Sequence, residues 1–209
     1  MKKILLALAI ISSFLFVGIS LAGNDSDPVV MLKSLSDTVI AKLEANKADL
    51  KDNPQLVYNI INKIIVPKAD LNKMSENVLP PATWRSATPH ERAEFESEFT
   101  NLLVNTYSSA LADYTNQTIK FMPLRGSIEN KSTVTVYSQV IRSDGPAMSM
   151  NYSLARNGNA WKMVDITVEG VSLLQSFRQQ FQEQLSAGKN MAQLIAFIKQ
   201  HNSKKSSDS

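Results

Sequence analysis

The sequence predicts an α+β domain: helices packed on one face of a curved, four-stranded antiparallel sheet. Three observations carry that expectation. Apolar residues recur at helical spacing up to about residue 113, period-2 patterning runs through residues 118–168, and helical spacing returns from there to residue 200. Helices, then a meander, then helices again is the order of an α+β fold.

Residues 1–22 stand apart from this domain. Met1-Lys2-Lys3 is a short basic start, Ile4–Ile19 is an apolar run of 16 residues, and Ser20 and Ala22 place small residues before a cut. The pattern predicts a secretory signal cleaved after Ala22 and a periplasmic destination, since the run falls short of the ~20 residues a spanning helix needs. Residues 23–201 are then one α+β domain and 202–209 a disordered polar tail. Loss of Lys2 and Lys3 leaves 20 basic against 19 acidic groups, a charge of about +1. No basic stripe interleaved with aromatics points to nucleic acid. The absence of cysteine excludes disulfides and a lipid-modified N-terminus.

The elements follow in order. Asp27-Pro28 pairs an N-cap with a first-turn proline, and Leu32, Leu35, Val39 and Leu43 give that helix its stripe. Asn53-Pro54 repeats the signal ahead of Val57, Ile60, Ile61 and Ile64, and Pro67 ends or kinks that run. A short helix over residues 69–79 uses Leu71, Met74 and Val78 before Pro80-Pro81 stops it. Thr88-Pro89-His90-Glu91 is a capping box opening a long helix to Asp113, with Phe95, Phe99, Leu102 and Leu103 inward and Tyr107, Leu111 and Tyr114 beside them.

Residues 118–123, 133–142, 147–156 and 160–168 read as strands, turned at Ser143-Asp144-Gly145-Pro146 and Asn157-Gly158-Asn159. In the third, Met148, Met150, Tyr152 and Leu154 share a face, which reads first as core and second as a surface adaptable to apolar shapes. In the fourth, alternation puts Val164, Ile166 and Val168 on one face and Trp161, Met163, Asp165 and Thr167 on the other. Gly170 allows a tight turn into a helix over 171–187 with the stripe Val171, Leu174, Phe177, Phe181 and Leu185; a last helix covers 190–200.

Catalytic constellations are scarce. His90 and His201 are the two histidines, one in a helix's first turn and one at the tail, which leaves neither a metal site nor a serine triad. No glycine array for phosphate exists. Asp165 and Glu169 are the two carboxylates unusual for their surroundings. Asp165 reads either as a general base in an apolar pocket or as an acceptor for backbone or tyrosine groups, and Glu169 as a helix cap.

Four segments together resemble the toluene-tolerance (MlaC) family of phospholipid-binding proteins: Ile65-Val66-Pro67-Lys68-Ala69-Asp70-Leu71, Trp84–Pro89 with Arg92, Phe95 and Phe99, the helix end Tyr107-Leu111-Tyr114, and Trp161 to Ser172. One departure is Pro80-Pro81 after Val78-Leu79, where the family often has glycine. The resemblance implies a fold similar to nuclear transport factor 2 with a deep apolar cleft holding phospholipid acyl chains, and no enzymatic activity or cofactor. It implies a carrier, expected as a monomer, between an outer-membrane lipoprotein–porin complex and an inner-membrane ABC transporter with a substrate-binding hexamer. Cargo-facing residues on that reading are Phe99, Leu103, Tyr107, Met148, Met150, Tyr152, Ile166, Val168, Val171 and Leu174. The competing expectations are a cavity enzyme on the same fold using Asp165, and a lipoprotein chaperone.

Overall fold

The computed structural model describes residues 26–50, 52–112, 117–142 and 145–207. The signal segment, Asp113, Tyr114 and the Ser143-Asp144 turn lie outside them.

Helix α1 (Pro28–Ala45) begins where local chemistry says it should: the Asp27 carboxylate accepts from the Val29 and Val30 N–H groups at 2.8 and 3.0 Å. Asn53 caps α2 (Pro54–Ile60) in the same way. The chain then widens into a π-helical turn (Ile61–Ile65) and tightens into a 3₁₀ turn (Val66–Lys68) at Pro67. The Asp70 N–H donates to the Met163 carbonyl at 2.8 Å while its carboxylate caps α3 (Leu71–Val78). One residue thus docks the segment on the sheet and starts a helix. Pro80-Pro81 ends α3 but also opens a short α4 (Pro81–Ser86) absent from the sequence expectation, because a proline that stops one helix suits the first position of the next. Arg92 reaches back from α5 (Pro89–Ala112), donating to the Trp84 and Arg85 carbonyls at 3.0 Å and stacking over the Trp84 ring at 5.4 Å. The capping box is formed in both directions between Thr88 and Glu91, and those hydrogen bonds hold the Glu91 carboxyl below its ordinary pKa.

The sheet has five strands, not four, in the order β1 (Thr118–Phe121), β2 (Thr133–Ile141), β3 (Met148–Asn157), β4 (Ala160–Val168), β5 (Val171–Ser172), all antiparallel. The fifth is the segment expected to begin a helix. Glu169 and Gly170 both have positive φ, 48° and 81°, as the two central residues of a type I′ hairpin turn require. Val168 therefore pairs with Val171, and Ser172 caps α6 (Leu173–Ser186), its hydroxyl accepting from the Gln175 N–H at 3.0 Å. Gly170 turns a hairpin; it does not join strand directly to helix. Val171 accordingly leaves the α6 stripe and stands 60% exposed.

A β-bulge corrects the expected faces of β4. Ser153 pairs with Asp165 and Leu154 with Met163, so Val164 has no partner across the ladder. The extra residue shifts the alternation by one. Trp161 and Met163 consequently join Ile166 in one apolar cluster, although strict alternation would separate them.

The tail expectation is also corrected. Helix α7 runs Met191–Ser207, well into the stretch read as disordered. Asn202 is buried against α5, its amide donating to the Glu98 carbonyl at 3.0 Å and carboxylate at 2.9 Å, and Lys199 pairs with Glu94. Polar side chains hold this last stretch, so no apolar stripe announces it.

Three apolar clusters result. One lies among α3–α7, around stacked and edge-on Phe95, Phe99, Phe177 and Phe181. A second joins α1, α2, the π turn and Val104 of α5. The third lies between α1 and the sheet: Met31 and Leu32 against Val134, Val136, Tyr152, Leu154, Trp161 and Met163.

Candidate functional site

The covered face of the sheet is sealed at one end and, apart from the buried Ser138 and Val140, only partly buried at the other, unsealed end. At the sealed end, Val134, Val136, Leu154, Trp161 and Met163 are buried under α1. Toward the other end the register pairs Ile119 with Val140, Val140 with Met148, Phe121 with Ser138, Ser138 with Met150 and Met150 with Val168, while Tyr152 faces Ile166. Directly paired residues share a face. Ile119, Phe121, Met148, Met150, Ile166 and Val168 therefore line the same surface, and all six are only partly buried.

Helix α5 supplies the facing wall. Leu103, Tyr107 and Leu111 follow one another at one-turn spacing and are also partly buried. The close packing of α5 is with α2, α3, α7 and the π turn rather than with the strands. The Tyr107 phenol is pushed above its ordinary pKa by burial and then by the charge of Asp165 on β4. Stripe and sheet face are the two candidate walls of an apolar cleft.

The ten expected cargo-facing residues divide accordingly. Met148, Met150, Ile166 and Val168 come together on the sheet wall, and Leu103 and Tyr107 lie on the helix wall. Tyr152 is at the cleft's floor, 6% exposed. Phe99 and Leu174 sit deeper, within the helical core, with Phe99 5.7 Å from Phe95 and 5.6 Å from Phe177. Val171 is outside, on β5. Sequence reasoning missed Ile119 and Phe121 as wall residues, though the period-2 pattern of β1 carried the signal.

Two polar features border the apolar surface. The Tyr152 hydroxyl donates to the Met150 sulfur at 3.0 Å, and Ser138 donates to the Met150 carbonyl at 2.6 Å. Burial pushes the Tyr152 phenol up to about 12, opposed by hydrogen bonds to Ser138 and Ser36. The neutral phenol is thus favoured in the folded state, and its contribution is complete below pH 10 and lost as pH rises toward 12. Up to roughly 2–3 kcal/mol of stability is expected to disappear across that window. Tyr152→Phe should flatten it in a urea-unfolding series against pH.

Asp165 is a fastener. Its carboxylate accepts from the Ile166 N–H at 2.9 Å, the Leu174 N–H at 3.1 Å and the Ser172 hydroxyl at 2.6 Å. It ties β4 to the start of α6, which is the structural alternative expected for it. Glu169 caps no helix: its N–H donates to the Ser149 carbonyl at 3.0 Å and its carboxylate accepts from the Ser149 N–H, closing the hairpin onto β3. Among the described residues no group of three or more His, Cys, Asp or Glu could hold a metal ion.

Fold and site together define an α+β protein similar to nuclear transport factor 2, with a partly buried apolar face on its sheet and a partly buried apolar stripe on its long helix. The chain belongs to the family described as MlaC protein, whose pattern it matches over residues 33–200. It is 27% identical over 163 residues to the toluene tolerance protein ttg2D of Pseudomonas putida, covering 78% of this chain and 75% of that one. It is 24% identical over 169 residues to the intermembrane phospholipid transport system binding protein MlaC of Haemophilus influenzae, covering 79% and 77%. The structure is similar to that of a phospholipid-binding protein from Ralstonia solanacearum solved with a phospholipid, with TM-score 0.78 and 27% identity, covering 86% of this chain and 99% of the other.

Proposed function

We propose that this chain is a periplasmic phospholipid carrier whose acyl chains lie between α5 and the unsealed end of the sheet. The observation that carries the reading is that unsealed end: Ile119, Phe121, Met148, Met150, Ile166 and Val168 share one face and are all only partly buried. Family membership and the phospholipid in the Ralstonia solanacearum relative support the same cargo. Met148, Met150, Ile166, Val168, Leu103 and Tyr107 are the contacts proposed, with Tyr152 at the floor and Phe99 and Leu174 backing the helix wall. Residues 23–207 act as a single lipid-binding, monomeric domain behind a cleaved signal at 1–22.

The function is transport and not catalysis, and no cofactor takes part. The carrier moves lipid between an outer-membrane lipoprotein–porin complex and an inner-membrane ABC transporter with a substrate-binding hexamer. Two acyl chains carry on the order of 30 methylenes, about 24 kcal/mol of gross transfer free energy at ~0.8 kcal/mol each. Net affinities saturate near ~18–21 kcal/mol, so ordering of the tails offsets part of this. A bilayer solvates the tails as well as the cleft does, and delivery is exchange between near-equal apolar surroundings. Spontaneous loss to water is very slow, and partners must open the cleft.

Solvent extraction of the purified protein followed by mass spectrometry tests the reading. Intact two-chain phospholipid at a stoichiometric level is expected. A protein that carries no lipid and binds only acylated peptide would be a lipoprotein chaperone instead.

A further inference from the structure

A second concave feature lies round the β1–β2 edge from the cleft. Phe121 belongs to the cleft wall, and the next residue, Met122, begins a pocket formed where the 122–132 connection folds back beside β2. The pocket has a volume of about 520 Å³ and is lined by Met122, Pro123, Leu124 and Ile128, by Arg125 and Lys131, and by Val134, Thr135 and Tyr137 of β2. That volume is in the range of small-ligand sites, ~300–1,000 Å³.

Its walls are held in place before anything binds. The Arg156 guanidinium, stacked over Trp161 at 4.5 Å, donates to the Ile128 carbonyl at 3.1 Å and the Lys131 carbonyl at 3.2 Å. The Met122 N–H donates to the Tyr137 carbonyl at 2.8 Å and the Lys131 N–H to the Ile128 carbonyl at 3.1 Å. Within the 122–132 connection these bonds occupy backbone groups only. The side chains of Arg125 and Lys131 are left without an acidic partner among the described residues, and no carboxylate lines the pocket. Tyr137, 57% exposed, stands beside them on the sheet's open face.

Two unneutralised cations, an exposed tyrosine and an apolar lining make an amphipathic site. Cations at a bilayer surface are attracted to anionic lipid phosphates, and tyrosine rings and methionine or leucine side chains suit the zone just beneath. We propose that this pocket takes the head group of one anionic phospholipid at a bilayer surface, docking the protein there with the cleft mouth next to the membrane. The site is separate from the cleft and does not depend on what the cleft carries.

The test is partition of the purified protein onto vesicles of equal parts phosphatidylglycerol and phosphatidylcholine, against vesicles of phosphatidylcholine alone. Preference for the anionic vesicles that weakens with added salt is expected. Arg125→Glu with Lys131→Glu should lower that partition by ~tenfold or more, with the circular dichroism spectrum and the co-purified lipid unchanged, since neither side chain supports the fold. Tyr137→Ala should weaken it less. Equal binding to both vesicle types, or an unaltered double variant, would overturn the proposal. So would a site that binds inorganic phosphate but no vesicle, or a double variant that loses affinity for an acidic peptide while keeping its affinity for vesicles. Absence of lipid in the cleft would count against the carrier reading and leave the vesicle result to stand by itself.

Discussion

Trp161→Ala is expected to destabilise the protein by about 3–5 kcal/mol, the range for removing a large buried aromatic side chain. The ring is fully buried between α1 and the sheet, and three separate connections meet on it. Its Nε1 donates to the Ser26 carbonyl at 3.1 Å, holding the chain ahead of α1. Its face carries the Arg156 guanidinium that fastens the 122–132 connection. It shares its apolar cluster with Met163, whose carbonyl receives the Asp70 N–H. Urea unfolding should show a lowered midpoint at unchanged slope. Trp161→Phe keeps most of the volume and loses the Nε1 bond, so a smaller loss, about 1–2 kcal/mol, is expected. A loss for alanine no greater than for phenylalanine would mean that the ring's packing adds little to its hydrogen bond.

Met148→Arg combined with Val168→Arg should lower co-purified phospholipid by ~tenfold or more, because a cation has no partner among acyl chains and burying it is costly. Both positions are partly buried on the unsealed end of the sheet, close enough to solvent for arginine to carry its head outward, so the fold should survive. Val171→Arg is the matched control: 60% exposed on β5, it is expected to keep its lipid. Phosphate analysis of the extracted lipid against protein concentration reads both variants. A double variant with native circular dichroism and undiminished lipid would place the acyl chains elsewhere.

Helix starts were legible because capping is local chemistry. Asp27, Asn53 and Thr88 each announce a helix through a side chain that reaches only two or three residues ahead. The strand content and most of the sheet wall were legible for a similar reason, since Met148, Met150, Ile166 and Val168 need only a period of two. What escaped depends on partners distant in sequence or on conformations a residue type seldom adopts. Val-Asp-Ile-Thr-Val alternates equally well with or without a bulge, and only the pairing with Ser153 and Leu154 fixes Val164 as the extra residue. Glu169 at positive φ is uncommon for a non-glycine residue, so the hairpin that makes β5 was hidden behind Gly170. Phe99 and Leu174 fall on the expected faces yet lie deeper than the cleft, because periodicity gives direction and not depth. Asn202, a polar residue with its partner 104 positions away, carries the end of α7 out of view of any hydrophobic pattern.

The bulge at Val164 also governs which changes β4 can accumulate. Residues before it serve the sealed end and residues after it serve the cleft, so either half can be resized by substitution without altering the other. Insertions and deletions are a different matter. Dropping Val164 would remove only the extra residue, leaving Met163 opposite Leu154 and Asp165 opposite Ser153, so that Asp165 keeps Ser172 and the Leu174 N–H, whereas dropping one residue within 165–168 would turn those beyond it to the opposite face. The cleft half of this strand can therefore take different side chains at fixed length, and Val164 is the position at which a change of length leaves both faces in place.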